Sequence, residues 1–102
     1  VILYHDMGDY YLAVGQLDSG YVFTNKAIKI YQTLNDTIQI AKAQLNIATY
    51  YNITNRIDSA LTISNQAIGV LEKLNLSSSF YDVLLARLYF KKNDYRIYDK
   101  NI

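Results

Sequence analysis

The chain repeats itself with a period of about 40 residues, and this period constrains its fold more than any other feature. Identical or similar residues recur forty positions apart at Tyr11 and Tyr51, Asp18-Ser19 and Asp58-Ser59, Asn25 and Asn65, Ala27-Ile28 and Ala67-Ile68, and Leu34 and Leu74. A third copy, offset by 38 residues, places Leu85-Ala86 on Ile47-Ala48 and Tyr89 on Tyr51. Matches in a fixed order over most of a chain indicate stacked supersecondary units. The 102 residues then contain about two and a half repeats, at roughly 1–36, 37–76 and 77–102, in a single unit.

Each copy has the apolar periodicity of two helices. In the second copy, apolar residues spaced by three and four form a stripe that comprises Ile38, Ala41, Leu45, Ala48 and Tyr51. A second stripe begins at Ile57 after a polar break, and such stripes are typical of helices that bury one face. No proline interrupts either stripe. The pattern predicts helices near residues 2–14, 18–33, 37–53, 57–74, 79–92 and 95–102.

Turn residues separate these helices at matching places. Gly15, Asn55 and Asn93 each precede a predicted helix, and they are the residue types that most readily adopt the left-handed conformation that ends a helix. Asp18 and Asp58 follow three residues later and are predicted to cap the next helix with their side chains. Between the first two repeats, Asn35-Asp36 is expected to supply a similar stop and start.

Small residues recur where the two helices of a pair should touch. They stand at matched positions in successive copies: Gly8, Ala48 and Ala86, then Gly20 and Ala60, then Ala27 and Ala67. Small side chains let two antiparallel helices approach closely, while a neighbouring tyrosine (Tyr11 or Tyr51) fills the wider gap beside them. The sequence therefore predicts antiparallel helix pairs with a tight seam.

This combination of small residues, tyrosines and turn residues resembles the tetratricopeptide repeat (TPR) over essentially the whole chain. The resemblance implies an all-α fold, namely an α-solenoid of antiparallel helix pairs wound into a right-handed superhelix. The copies depart from the usual repeat of ~34 residues, because they are longer and lack its tryptophan and proline. In these respects they are similar to the TPR regions of Bacteroidetes sensor histidine kinases and of regulators that bind signalling peptides.

The first helix of each pair lines the concave face of such a solenoid. By helical phase, side chains opposite the Gly8, Ala48 and Ala86 seam are predicted to face this groove. The predicted groove residues are His5, Asp9, Leu12, Lys42, Leu45, Thr49, Asn52, Val83, Arg87, Phe90 and Lys91. A mixed polar and apolar surface with several cations suits an extended or helical peptide. The alternative interpretation is that these are the solvated faces of three helices.

Composition excludes several other functions. The absence of cysteine excludes thiolate metal sites, disulfides and cysteine nucleophiles. His5 and Asp9 share one helix face, but two ligands make a poor metal site, so we expect no catalytic residue, metal or cofactor. The net charge of +1 gives no reason to expect nucleic-acid binding, although the last sixteen residues hold five cations against two acids. No apolar run is long enough for a membrane segment.

The sequence thus predicts a protein- or peptide-binding scaffold within a larger bacterial signalling protein, namely the sensory or interaction region of a two-component sensor histidine kinase. The first alternative is the TPR region of a peptide-responsive transcriptional regulator. The second alternative is a structural module for dimerisation or spacing. The carboxylate clamp of chaperone-binding TPR domains is not expected, because only Asn46 matches it. Because the last predicted helix, 95–102, is short, self-association through this end is also expected.

Overall fold

The computed structural model describes residues 2–76 and 85–92 of the chain. It contains four helices with defined bounds: α1 (Ile2–Ala13), α2 (Leu17–Thr33), α3 (Thr37–Ile53) and α4 (Ile57–Lys73). Residues 85–92 are also helical and are called α5 here. These ranges contain no strand, which confirms the all-α prediction. The predicted bounds of the first four helices agree with the structure to within one residue, whereas the predicted helix 95–102 and its role in self-association lie outside the described residues.

The same turn follows each of the first four helices. One residue in each turn has a positive φ, and these residues are Gly15 (84°), Asn35 (54°), Asn55 (63°) and Asn75 (58°). The next amide donates back to the carbonyl five residues earlier, as Gln16 does to Tyr11 and Arg56 to Tyr51 at 2.9 and 2.7 Å. This is the Schellman motif, in which a left-handed residue closes the helix. The predictions for Gly15 and Asn55 are confirmed, and Asn93 lies outside the described residues.

The predicted caps of α2 and α4 are wrong. The N-cap residues are Gln16 and Arg56, which make no capping bond with their side chains, and Asp18 and Asp58 lie inside the first helical turn. The Schellman turn leaves one residue between the left-handed position and the next helix, so the cap falls two residues before each aspartate. At their actual positions both carboxylates still face the partial positive charge of the helix N-terminus. The expected start at Asp36 is confirmed, because its Oδ1 accepts a hydrogen bond from the Gln39 amide at 3.2 Å.

Consecutive helices pack on one another, and α1 also touches α3 directly. The seam between α1 and α2 depends on two glycines. A β-carbon at Gly8 would overlap the hydroxyl of Thr24, and one at Gly20 would lie 2.6 Å from Leu12 Cγ. The matched residues of the next pair, Ala48 and Ala60, are buried, which confirms the predicted seam in both pairs. Ala86, which corresponds to Gly8 and Ala48 in the third copy, is exposed.

Three apolar clusters follow the successive helix interfaces, and Leu85 of α5 packs against two of them. Between α2 and α3 the buried members are Ala27, Tyr31 and Ala43. Between α3 and α4 they are Ala41, Leu45, Ala67, Ile68 and Leu71. Between α4 and α5 they are Ile57, Ala60, Leu61 and Leu88. The core therefore runs from one interface to the next, and each helix is held chiefly by its neighbours in sequence.

Candidate peptide-binding face

Helices α1, α3 and α5, which are the predicted first helices of the three repeats, are joined side by side through polar side chains. Asn46 Nδ2 of α3 donates a hydrogen bond to Asp9 Oδ1 of α1. On the other side of α3, Lys91 Nζ of α5 donates to the carbonyl oxygen and to Oδ1 of Asn52, each at 3.0 Å. The helices α1, α3 and α5 therefore form a row. We call the exposed side of this row the first-helix face.

Most of the predicted groove residues are exposed or half-buried. Asp9, Lys42, Arg87 and Phe90 are exposed, and Phe90 retains 68% of its accessible surface. The half-buried residues among them are His5, Leu12, Thr49, Asn52 and Lys91. Of the predicted set, the structure brings Asn52 and Lys91 into direct contact, and Val83 lies outside the described residues.

Leu45 is the clearest error in the predicted groove. It retains only 9% of its accessible surface and packs in the cluster between α3 and α4, with Ala67, Ile68 and Leu71. Leu12 also has a packing role, because its side chain fills the space that the missing β-carbon of Gly20 leaves. These two apolar residues therefore support the helix pairs, and Phe90 and the polar residues of the set are the ones available to a ligand.

A cleft of about 460 Å³ opens beside α1, where the end of α2 meets the start of α3. Its lining residues are His5, Asp6, Asp9, Tyr31, Leu34, Asp36 and Gln39. His5 Nδ1 and the hydroxyl of Tyr31 are hydrogen-bonded at 3.1 Å, and their rings meet edge to face. The cleft joins two residues predicted for the groove, His5 and Asp9, to side chains of α2 and α3.

The cleft is acidic, and its negative charges affect the pKa of Tyr31. Burial, and after it the negative charges of Asp36, Asp6 and Asp9, raise the pKa of Tyr31 above its ordinary value of 10.0. The phenol therefore stays protonated at neutral pH and remains available for the hydrogen bond with His5. The same three carboxylates make the α1 end of the first-helix face acidic. Within residues 2–76 and 85–92, no three acidic or histidine side chains are grouped so that they could hold a metal ion.

The opposite end of the face is basic. α5 contributes Arg87 and Lys91 to it, whereas Lys92 is paired with Asp58 on α4, with 2.8 Å between Nζ and Oδ1. Arg87 is exposed, while Lys91 is held against Asn52. The first-helix face thus changes from acidic at α1 to basic at α5, with Lys42 exposed between them.

Five of the cleft residues were not among the predicted groove residues, namely Asp6, Tyr31, Leu34, Asp36 and Gln39. The prediction used the phase of the first helices alone; Asp6 lies on α1 outside the chosen phase, and the other four belong to the end of α2, the turn after it and the start of α3. The sequence did contain one indication of this cleft. Asn35-Asp36 ends one helix and starts the next, so the end of α2 must lie beside the start of α3. What the sequence did not supply was the angle at which α1 meets that turn.

Comparisons of this chain with protein-family models, with curated proteins and with solved structures give no match. Among the helices that the structure describes, none combines the length and the apolar character needed to cross a membrane.

Proposed function

We propose that this chain is a helical-repeat scaffold of the TPR type that binds a peptide or a protein segment along its first-helix face. The row of first helices carries this proposal. Asp9 with Asn46 and Asn52 with Lys91 tie α1, α3 and α5 together, so that side chains from three helices share one surface. In the proposed architecture the pairs continue as a right-handed solenoid with this row on its concave side. The repeated Schellman turn and the packing of each helix on the next support it.

The exposed residues of the face suit recognition of a polypeptide. Phe90 offers a large aromatic surface to solvent, and Arg87 is exposed on the same helix. Aromatic residues and arginine supply most of the binding energy in typical protein interfaces. The acidic cleft at α1 and the basic α5 complement a segment with a basic residue at one end and an acidic residue at the other. Complementary charges of this kind orient a ligand and select against wrong partners.

The identity of the larger protein is a further part of this proposal. The long, proline-free repeats resemble those of sensor histidine kinases, in which ligand binding along the face would shift the packing of the pairs and so bias a signalling state. A peptide-responsive transcriptional regulator is the alternative parent. A structural spacer is the alternative function, and it differs from the scaffold because it needs no ligand on the first-helix face.

A selection from a random peptide library against the whole chain tests the scaffold directly. We expect enriched peptides with separated basic and acidic residues, whose binding can be followed by fluorescence anisotropy. Arg87→Glu should weaken that binding at least about tenfold, because it reverses an exposed charge at the basic end of the face. Lys29→Glu is the matched control, since Lys29 is exposed on the second helix α2 and the charge change is the same.

Circular dichroism would establish that both variants keep their helix content. Two outcomes contradict the scaffold. If no peptide is enriched, the spacer function is favoured. If Arg87→Glu and Lys29→Glu bind the selected peptides equally, the ligand lies elsewhere on the molecule.

A further inference from the structure

Three tyrosine rings meet where α2 packs on α3. The ring of Tyr21 in α2 lies 4.6 Å from the ring of Tyr50 in α3, measured between centroids, and their planes are tilted by 34°. The ring of Tyr51 lies 6.4 Å from Tyr21 and 5.7 Å from Tyr50. Among the tyrosine pairs of the described residues, Tyr21 and Tyr50 make the closest ring contact, and they belong to two successive repeats.

The next repeat packs without tyrosine at the same place. The residue forty positions after Tyr21 is Leu61, and the residue 38 positions after Tyr50 is Leu88. Leu61 and Leu88 are buried in one apolar cluster between α4 and α5. Apolar side chains therefore satisfy the packing at this place, and the two phenol groups between α2 and α3 are not needed for it.

The three tyrosines are in contact with solvent and are tied to one another. Each side chain is half-buried, so solvent reaches part of it. The phenol of Tyr51 is hydrogen-bonded to Tyr21, and this hydrogen bond, and after it burial, raise the pKa of Tyr51 above its ordinary value of 10.0. The Tyr51 phenol therefore stays protonated at neutral pH and holds the Tyr21 ring beside Tyr50.

The composition of the chain directs oxidation to its tyrosines. Cysteine and tryptophan, which also give up single electrons readily, are absent from the chain. The one methionine, Met7, is oxidised by a different reaction, because its sulfur gains an oxygen atom. A reagent that removes one electron at a time therefore acts on phenol groups, and the product depends on which phenol lies next to the radical.

We propose that Tyr21 and Tyr50 are a site of oxidative cross-linking, at which a one-electron oxidant converts the two phenols into a dityrosine that joins α2 to α3. Each tyrosine gives one electron to the oxidant and its hydroxyl proton to water, and the two phenoxyl radicals combine through a carbon–carbon bond between their ortho positions. The hydrogen on each of these carbons then moves to the phenol oxygen, so the pair loses two electrons and two protons in all. Contact in the folded chain makes the coupling intramolecular, which favours it over coupling between molecules.

The cross-link restricts the movement of one repeat against the next. It closes the chain between Tyr21 and Tyr50 into a loop, which lowers the conformational entropy of the unfolded chain. It also fixes α2 against α3 at the junction between the first two repeats. The site contains none of the residues assigned to the first-helix face, so it is independent of the proposed function.

Light-driven oxidation of the full chain by tris(bipyridyl)ruthenium(III) tests the site. A dilute solution should give a monomeric product that is lighter by two hydrogen atoms, whereas oxidation of Met7 makes the product heavier by one oxygen atom. Trypsin, which cleaves after lysine and arginine, releases Tyr21 in peptide 1–26 and Tyr50 in peptide 43–56, and the cross-link should join these two peptides. The linked chain should unfold at a higher urea concentration than the unlinked chain.

Phenylalanine variants locate the bond, because they keep the ring but cannot form a phenoxyl radical. Tyr21→Phe and Tyr50→Phe should each lower the yield of the linked peptide pair at least about tenfold, since the coupling depends on contact between these two rings. Tyr11→Phe is the matched control and should leave the yield unchanged. Tyr11 lies in the same tryptic peptide as Tyr21, is also half-buried and stacks on Phe23.

Three results overturn the proposal. The first is oxidation that produces no link between the two peptides. The second is a linked pair whose yield in Tyr21→Phe or Tyr50→Phe equals that of the natural sequence, which places the bond on other rings, such as that of Tyr51. The third is a link between molecules, which a mixture of isotopically labelled and unlabelled chains reveals as linked peptides of mixed isotope composition.

Discussion

At the scale of single residues, Gly8 sets the distance between α1 and α2. Gly8→Ala should improve the intrinsic helix propensity of α1 by about 1 kcal/mol, since glycine is the poorest helix former after proline. The new methyl group would, however, overlap the hydroxyl of Thr24, whose backbone nitrogen lies 3.2 Å from the same point. Thr24 is fully buried and β-branched, so it can move little. Overpacking of this kind costs about 1–3 kcal/mol, and urea unfolding should show a net loss of stability.

Gly69 provides the control for this substitution. It lies inside α4, and in the described part of the chain no atom other than the nearby backbone of its own helix comes within 4 Å of a β-carbon built there. Gly69→Ala should therefore raise the free energy of unfolding by about 0.5–1 kcal/mol. In the double variant Gly8→Ala/Thr24→Ala, removal of the Thr24 hydroxyl should recover much of the loss. A Gly8→Ala variant more stable than the natural sequence would mean that α1 and α2 are not held at this distance.

Leu45 shows, also at this scale, what residue patterns alone do not predict. Helical phase gave its direction around α3, but α3 contacts α1, α2 and α4, and burial depends on which neighbours cover that direction. The exposure of the polar residues of the predicted face was predicted more accurately than that of Leu45. Asp9, Lys42 and Arg87 would lose hydration if they were covered, so their exposure follows from chemistry as well as from phase.

At the scale of elements, the turn is the unit that repeats most faithfully. Asn35 has φ 54° and its amide donates to the Gln32 carbonyl at 3.1 Å. Asn35→Ala should lower the free energy of unfolding by about 1 kcal/mol, because a β-carbon disfavours the left-handed conformation and alanine lacks the side chain that lets asparagine tolerate it. Asn35→Gly should keep stability within a few tenths of a kcal/mol. Thermal unfolding of the two variants side by side checks this, and equal stability would contradict the role assigned to the turn.

The local nature of these turns explains why the helices could be predicted closely from the sequence. A left-handed Gly or Asn ends each of the first four helices within a few residues, so their bounds follow from short-range preferences. The caps assigned to Asp18 and Asp58 were wrong because the Schellman motif fixes the next helix start more tightly than side-chain preference does. The cleft around Tyr31 was missed for a different reason. It needs three elements, α1, α2 and α3, at angles that no local pattern specifies.

At the scale of the whole molecule, the unequal burial of the helices implies that stability varies along the chain. Seven residues are buried in α4, five in α3 and four in α2. In α1, Gly8 alone is buried among residues 4–13, for which burial is described. In arrays held by nearest neighbours, helices at an end open without unfolding the rest. Native-state hydrogen exchange should therefore show the slowest backbone amides in α3 and α4, and faster exchange in α1.

Equal opening free energies for α1 and α4 would instead indicate one cooperative unit, in which the successive helix interfaces form and break together. That outcome would contradict a stability that varies along the chain.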